Sequence, residues 1–294
     1  MWAMSVPGDS VSDVLEPTSP VPEPDRRWVG VDLSGARFHN VDLSGAKLTG
    51  VWAREIVVDG AIERMTVNGI DVMPYVEQQL RERHPELGLI WSGDLDDLRE
   101  AWRRIKATWA ATEAEVATLD PALLERSVDG EYSYLQTLRH LVFASDAWLR
   151  RCLLGEDDYW PGGVVFEEMD PDALAALPID RQAAPSLGEV MAVRRDRRAV
   201  LDRLLDEMTP ERLAEHPPAR DRNGYPPDTS KRTVLECLQC VVNEEWWHHS
   251  FAARDLAVLT GRPWPEGGGR PGVTGYDSSA SRRLIRRATR RSAA

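Results

Sequence analysis

The sequence predicts a mainly α protein, a four-helix bundle with a small N-terminal β-coil attached. Three observations carry that prediction. From Asp94 to Thr260, apolar residues recur at helical spacing in four long segments. Those segments start at capping residues and are separated by loops rich in proline and glycine. Ahead of them, Val29 to Val51 keeps a five-residue period that neither a helix nor a flat strand would keep on one apolar face.

In the periodic N-terminal stretch, Val31, Ala36, Val41, Ala46 and Val51 alternate with Leu33, Phe38, Leu43 and Leu48. A square β-coil that turns a corner every five residues satisfies this spacing, and its inward layer would be Leu33, Phe38, Leu43 and Leu48. About one coil is present, so the coil is expected to pack against the bundle or the strands that follow. Ile56 to Val72 has short branched runs broken by Asp59-Gly60 and Asn68-Gly69, which predicts strands with tight turns, and a helix is expected from Pro74 to Arg83.

Helix one of the bundle is carried by the stripe Leu95, Leu98, Trp102, Ile105, Trp109, Thr112, Val116 and Leu119, ending before Asp120-Pro121. Helix two runs from Ser133 or Leu135 to Leu154 and stops at Gly155. Ser186 with Glu189 makes a capping box that opens helix three, which extends to Met208. Helix four spans Thr233 to Thr260 and ends at Gly261. The expected organisation is therefore a leader over 1–26, the β-coil with short strands and a helix over 27–90, the bundle over 91–262, and a basic tail over 263–294.

Composition narrows the function classes. The 294 residues are 42% hydrophobic and 29% charged, as in soluble globular proteins, and no stretch nears eighteen consecutive apolar residues, which speaks against a membrane span. Met1 to Pro24 lacks the basic-then-apolar order of a secretory signal, so a cytoplasmic protein is expected. Cys152, Cys237 and Cys240 are too few for a disulfide framework and read as thiols. The net charge is −12 although the last sixteen residues hold six arginines and no acid, so the residues before them carry −18. Such an acidic body speaks against a general nucleic-acid-binding protein, and the basic tail reads as a solubilising or disordered terminus, with contact to RNA, DNA or anionic lipid as the other reading. No glycine-rich phosphate loop and no G-x-S-x-G occurs, which leaves nucleotide-dependent chemistry without support.

The candidate chemistry lies on helices two and four. Glu244 and His248 are four residues apart and share one helix face. His140 interrupts the apolar run L-R-H-L-V-F, where an unpartnered imidazole would be costly to bury. Together they would make a His₂Glu metal set with an open fourth position; the same spacing also suits a Glu–His hydrogen bond beside a core histidine. His249 is the rival of His248, about 100° further round the helix. Glu245 is expected to pair with an arginine at the surface or an interface, and Trp246 and Trp247 to pack between helices or wall a pocket. Cys237 and Cys240 read as inert buried thiols rather than a redox pair or further ligands. Arg139, Trp148, Arg254 and Asp255 are rim candidates, Asp255 because seven residues from His248 return it to the same stripe.

The strings G-E-Y-S-Y-L-Q-T-L-R-H-L-V-F-A-S-D-A-W and C-L-Q-C-V-V-N-E-E-W-W-H-H-S-F-A-A-R-D-L make residues 94–260 resemble the DinB-like superfamily, and V-D-L-S-G, A-R-F-H-N, V-D-L-S-G, A-K-L-T-G resembles pentapeptide-repeat proteins. The first resemblance implies a four-helix bundle that binds zinc or nickel through three side chains. Most members carry H-x-x-x-H on helix four. Here its first position is Glu244, which looks like the mycothiol-dependent maleylpyruvate isomerase branch, whose His, Glu, His set matches His140, Glu244 and His248.

That resemblance implies a metal-dependent thiol S-transferase or thiol-dependent isomerase. His140, Glu244 and His248 would be its metal-binding and catalytic residues, and Asp255, Arg254, Trp247 and Arg139 would contact the cofactor. Its cofactors would be Zn²⁺, or another divalent ion such as Ni²⁺, and mycothiol, and its partners a small-molecule thiol and an electrophile. A metal-dependent hydrolase and a non-catalytic metal-binding or stress-associated protein stand as the other readings. An apolar outer stripe beside the short cap would support a homodimer.

Overall fold

The computed structural model describes residues 27–38, 41–58, 60, 62–166, 169, 171–220 and 224–262. The expected leader and basic tail fall on 1–26 and 263–294, outside the described residues. The chain divides into two units between Asp42 and Leu43.

In the first unit, Ser34-Gly35 forms a tight turn: the Ala36 N–H donates to the Leu33 carbonyl at 3.0 Å, and the Asp32 carboxylate accepts from the Ser34 N–H at 2.9 Å. Gly35 has φ +78°, a conformation that costs glycine nothing. The second unit opens with the same device, the Ala46 N–H donating to the Leu43 carbonyl at 2.9 Å with Gly45 at φ +79°. The two turns stand ten residues apart, two of the five-residue periods. Leu33 and Phe38 in the first unit are each at least half exposed, and so are Leu43 and Leu48 in the second. A stacked coil buries its ladder against the next coil, and one coil offers no such neighbour.

Beyond Ile56 to Val58, where no strand forms, Thr66–Val67 (β1) and Ile70–Asp71 (β2) pair antiparallel, with Val67 opposite Ile70. Asn68 and Gly69, both at positive φ, make the two-residue turn that the Asn-Gly pair predicts. Helix α1, Met73–Arg83, follows, and after a break at His84 comes a short helix α2, Pro85–Ile90, which the sequence reading left out. Leu87 and Ile90 of α2 enter the main core, and the Ile90 carbonyl accepts a hydrogen bond from Gln239 at 2.7 Å.

Four long helices then appear where the apolar stripes place them. Helix α3, Leu95–Val116, is capped by Asp94, whose carboxylate accepts from the N–H groups of Asp96 and Asp97. After a 3₁₀ turn at Pro121–Glu125, α4 spans Tyr134–Ser145 and starts on a capping box between Ser133 and Gln136. It continues without a break as a π-helical segment, Asp146–Leu154, ended by Gly155 at φ +75°. The expected second helix thus has the right ends but is π-helical over its last nine residues. A short α5, Pro171–Ala175, lies in the crossover to α6, Leu187–Glu207, which the predicted Ser186–Glu189 capping box opens. A turn of helix, α7 at Pro210–Leu213, precedes α8, Val234–Leu259, capped by Thr233 and Glu236.

The core is the shared interior of α2, α3, α4, the π-helical segment, α6 and α8. Leu98, Trp109, Leu138, Leu149, Leu201 and Leu238 are among its almost wholly buried members. Helix α8 packs against α2, α3, α4, α7 and the π-helical segment, so residues in its middle turns meet side chains from several directions. No helix among the described residues is long and apolar enough to cross a membrane.

Candidate metal centre

His140 enters the interior from α4, and Glu244 and His248 enter from α8; all three are buried. Each offers one ligand atom, and those atoms lie within 4.8 Å of one another. Glu244 Oε2 is 3.0 Å from His248 Nε2 and 3.6 Å from His140 Nε2. Ligands held at about 2.0–2.1 Å by a tetrahedral ion are about 3.4 Å apart, so these spacings suit one small cation.

The orientation of His140 is fixed from behind. Its Nδ1 is 3.0 Å from the Val164 carbonyl, which makes Nδ1 the donor to that oxygen and leaves Nε2 as the atom that faces Glu244. The segment carrying that carbonyl is itself held down. Arg139 Nε donates to the Gly162 carbonyl at 2.6 Å, the Val164 N–H donates to the Arg139 carbonyl at 3.4 Å, and the Tyr132 hydroxyl donates to the Val165 carbonyl at 2.9 Å. Gly163 allows the close approach: a Cβ there would stand 3.3 Å from the Trp160 carbonyl and 3.4 Å from Phe143 Cβ.

Burial would raise the Glu244 carboxyl, yet the two imidazoles outweigh that and bring it from 4.5 to about 2, so it stays ionised. Burial pushes the His248 imidazole below its ordinary value, against the pull of Glu244, which favours the neutral form that a metal ligand needs. Aromatic rings wall the group. Tyr132 and Phe143 lie 5.6 and 6.2 Å from the His140 ring, and Phe251 lies 5.5 Å from that of His248, centroid to centroid. Two imidazoles and one carboxylate, with water largely excluded, form a donor set suited to a divalent ion.

The other candidates take separate places. His249 turns away to Thr112, 2.9 Å from its hydroxyl, and meets Trp109 edge-on, so it does not join the three. Asp255 accepts from Arg254 Nε at 2.6 Å, and Arg254 Nη2 reaches Glu131 at 2.5 Å, a buried cluster on the C-terminal side of the ligands. Trp247 is half-buried between Trp246 and Phe251, and Arg139 serves the Gly162 carbonyl. Glu245 finds its arginine in Arg194, and the pair is buried rather than at the surface. Cys152, Cys237 and Cys240 are free and buried, and the thiols of Cys237 and Cys240 are pushed well up, for Cys240 chiefly by burial. Val164 was missed: a backbone carbonyl that orients a histidine carries no sequence signal.

Searches of curated proteins and of solved structures matched nothing. A model described as pentapeptide repeats (8 copies) matches residues 27–51, the stretch that holds the turns at Ser34-Gly35 and Ser44-Gly45. The model of the DinB superfamily matches residues 104–252, just over half of the chain, and this span contains His140, Glu244 and His248 together with the helices that present them. With that match lying on the bundle and its buried three-donor group, the chain belongs to the DinB superfamily.

Proposed function

We propose that this protein is a metal-dependent thiol S-transferase or thiol-dependent isomerase, with zinc or a similar divalent ion held by His140, Glu244 and His248 and with mycothiol or a related low-molecular-weight thiol as cofactor. The observation that carries the reading is the donor set: three converging groups, one of them anionic, with the His140 Nε2 freed by the Val164 carbonyl. A bound divalent ion supplies, at its open position, the Lewis acidity that favours a thiolate over a thiol of pKa about 8.5.

The chain's own residues supply the rest. Ionised Glu244 makes the donor set −1, so a divalent centre keeps one positive charge to offset an arriving thiolate. The rings of Tyr132, Phe143 and Phe251 favour a weakly hydrated sulfur over a hydroxide, which needs hydrogen-bond partners. Arg254, Asp255, Trp247 and Arg139 are the groups we assign to contacts with the body of the thiol. In the transfer, the sulfur lone pair forms the S–C bond, the displaced pair leaves with the electrophile's leaving group, and the thiol proton passes to solvent.

The test uses the full chain loaded with zinc. The expected outcome is about one ion per chain, lost largely from His140→Ala and His248→Ala but retained by His249→Ala. Zinc-edge absorption is expected to gain a sulfur scatterer when mycothiol is added, with bacillithiol and glutathione as comparisons. If none of the three binds or adds sulfur at the ion, the thiol reading fails and a hydrolase or a non-catalytic binding protein replaces it.

A further inference from the structure

Helix α8 is gripped on a second stripe, about 100° round from its ligands. Glu244 and His248 face α4, whereas Glu245 and His249, each one residue later, face α3 and α6. The Glu245 carboxylate accepts two hydrogen bonds from Arg194 of α6, from Nη1 at 2.9 Å and from Nη2 at 2.6 Å, and both side chains are 2% exposed. The Glu245 carbonyl accepts from Trp109 Nε1 of α3 at 3.1 Å. The Arg194 guanidinium lies 4.4 Å above the Trp109 ring, and one turn on His249 meets Thr112 and the edge of Trp109. Two helices therefore hold, from a second face, the same turn of α8 that carries both of its ligands.

A buried ion pair is a poor source of stability, because removing two charges from water consumes most of their attraction, and apolar residues of similar volume often do as well. What a planar, two-bond pair fixes is geometry. A ligand oxygen about 6 Å from a helix axis moves about 1 Å for each 10° of rotation, whereas metal sites hold their ligand distances within about 0.2 Å. Rotation of α8 is thus the coordinate to which the centre is most sensitive, and the Arg194–Glu245 fork opposes it.

We propose that Arg194 and Glu245 are positioning residues for the metal centre, their pairing setting the rotation of α8 that brings Glu244 and His248 to His140. This rests on the centre's binding a divalent ion and not on the identity of the thiol.

The test compares the full chain with its Arg194→Met/Glu245→Leu variant, which removes both charges while keeping much of the volume. Zinc affinity is measured by chelator competition, coordination by the visible absorption of bound Co²⁺, and stability by urea unfolding of the metal-free forms. The expected result is zinc binding weakened about 10–100-fold and a shifted cobalt spectrum, with metal-free stability kept. Arg194→Lys, which keeps the charge without the fork, is expected to shift the spectrum in the same way. A double variant with the parent's zinc affinity and cobalt spectrum overturns the proposal, as does a loss of affinity matched by a loss of metal-free stability. A parent chain that binds neither ion overturns both this proposal and the metal reading; one that binds metal but no thiol overturns the thiol reading alone.

Discussion

Glu244 is the residue at which opposing effects are most finely set. Burial disfavours its charge, and His140 and His248 restore it, so its carboxyl lies at about 2 instead of 4.5. A folded-state pKa below the unfolded one means that the ionised group stabilises the metal-free fold above about pH 4.5 and that this contribution is lost as the pH falls towards 2. The shift corresponds to about 3 kcal/mol. In urea unfolding of the metal-free forms, the stability gap between the parent and Glu244→Gln should therefore narrow across that window, and a gap independent of pH would contradict the assignment. The three donors were legible in the sequence because i, i+4 spacing and a histidine within an apolar run are local signals. The partner of Glu245 was not: α6 carries Arg194, Arg195, Arg197 and Arg198, and only the packed helix selects Arg194.

Among the elements, ends were more readable than interiors. The Ser186–Glu189 capping box read from the sequence forms, and the structure adds two more of the same kind, Ser133–Gln136 and Thr233–Glu236. Thr233→Ala should cost about 1 kcal/mol of stability in urea unfolding and leave zinc stoichiometry unchanged, since the box lies three turns before Glu244. A loss of metal from that variant would mean that the centre depends on the helix end. The π-helical segment had no such signature, because D-A-W-L-R-R-C-L-L is ordinary helical sequence. Its wider turns coincide with tertiary ties: Asp146 accepts from Arg197 Nε at 2.6 Å and from the Trp160 N–H at 2.8 Å, and the wholly buried Arg151 pairs with Asp157. Helix α2 was missed because six residues are too few to display a period.

For the molecule as a whole, the mainly α class followed from four stripes of the right length, and the five-residue period of the N-terminal segment was plain. A repeat pattern specifies which side chains align and leaves open what covers them. The centre joins α4 to α8, whose ligands stand roughly a hundred residues apart in sequence. In the language of linkage, an ion held there is a removable cross-link that exists only in the folded chain, and its free concentration becomes a dial on global unfolding. Zinc at a thousandfold excess over its dissociation constant would add about 4 kcal/mol, which for a body of this size raises the melting midpoint by about 8–16 °C. Chelation should return that increment, as read by calorimetric melting, while the helical signal below the transition persists, because Glu244 and His248 hydrogen-bond each other when no ion lies between them.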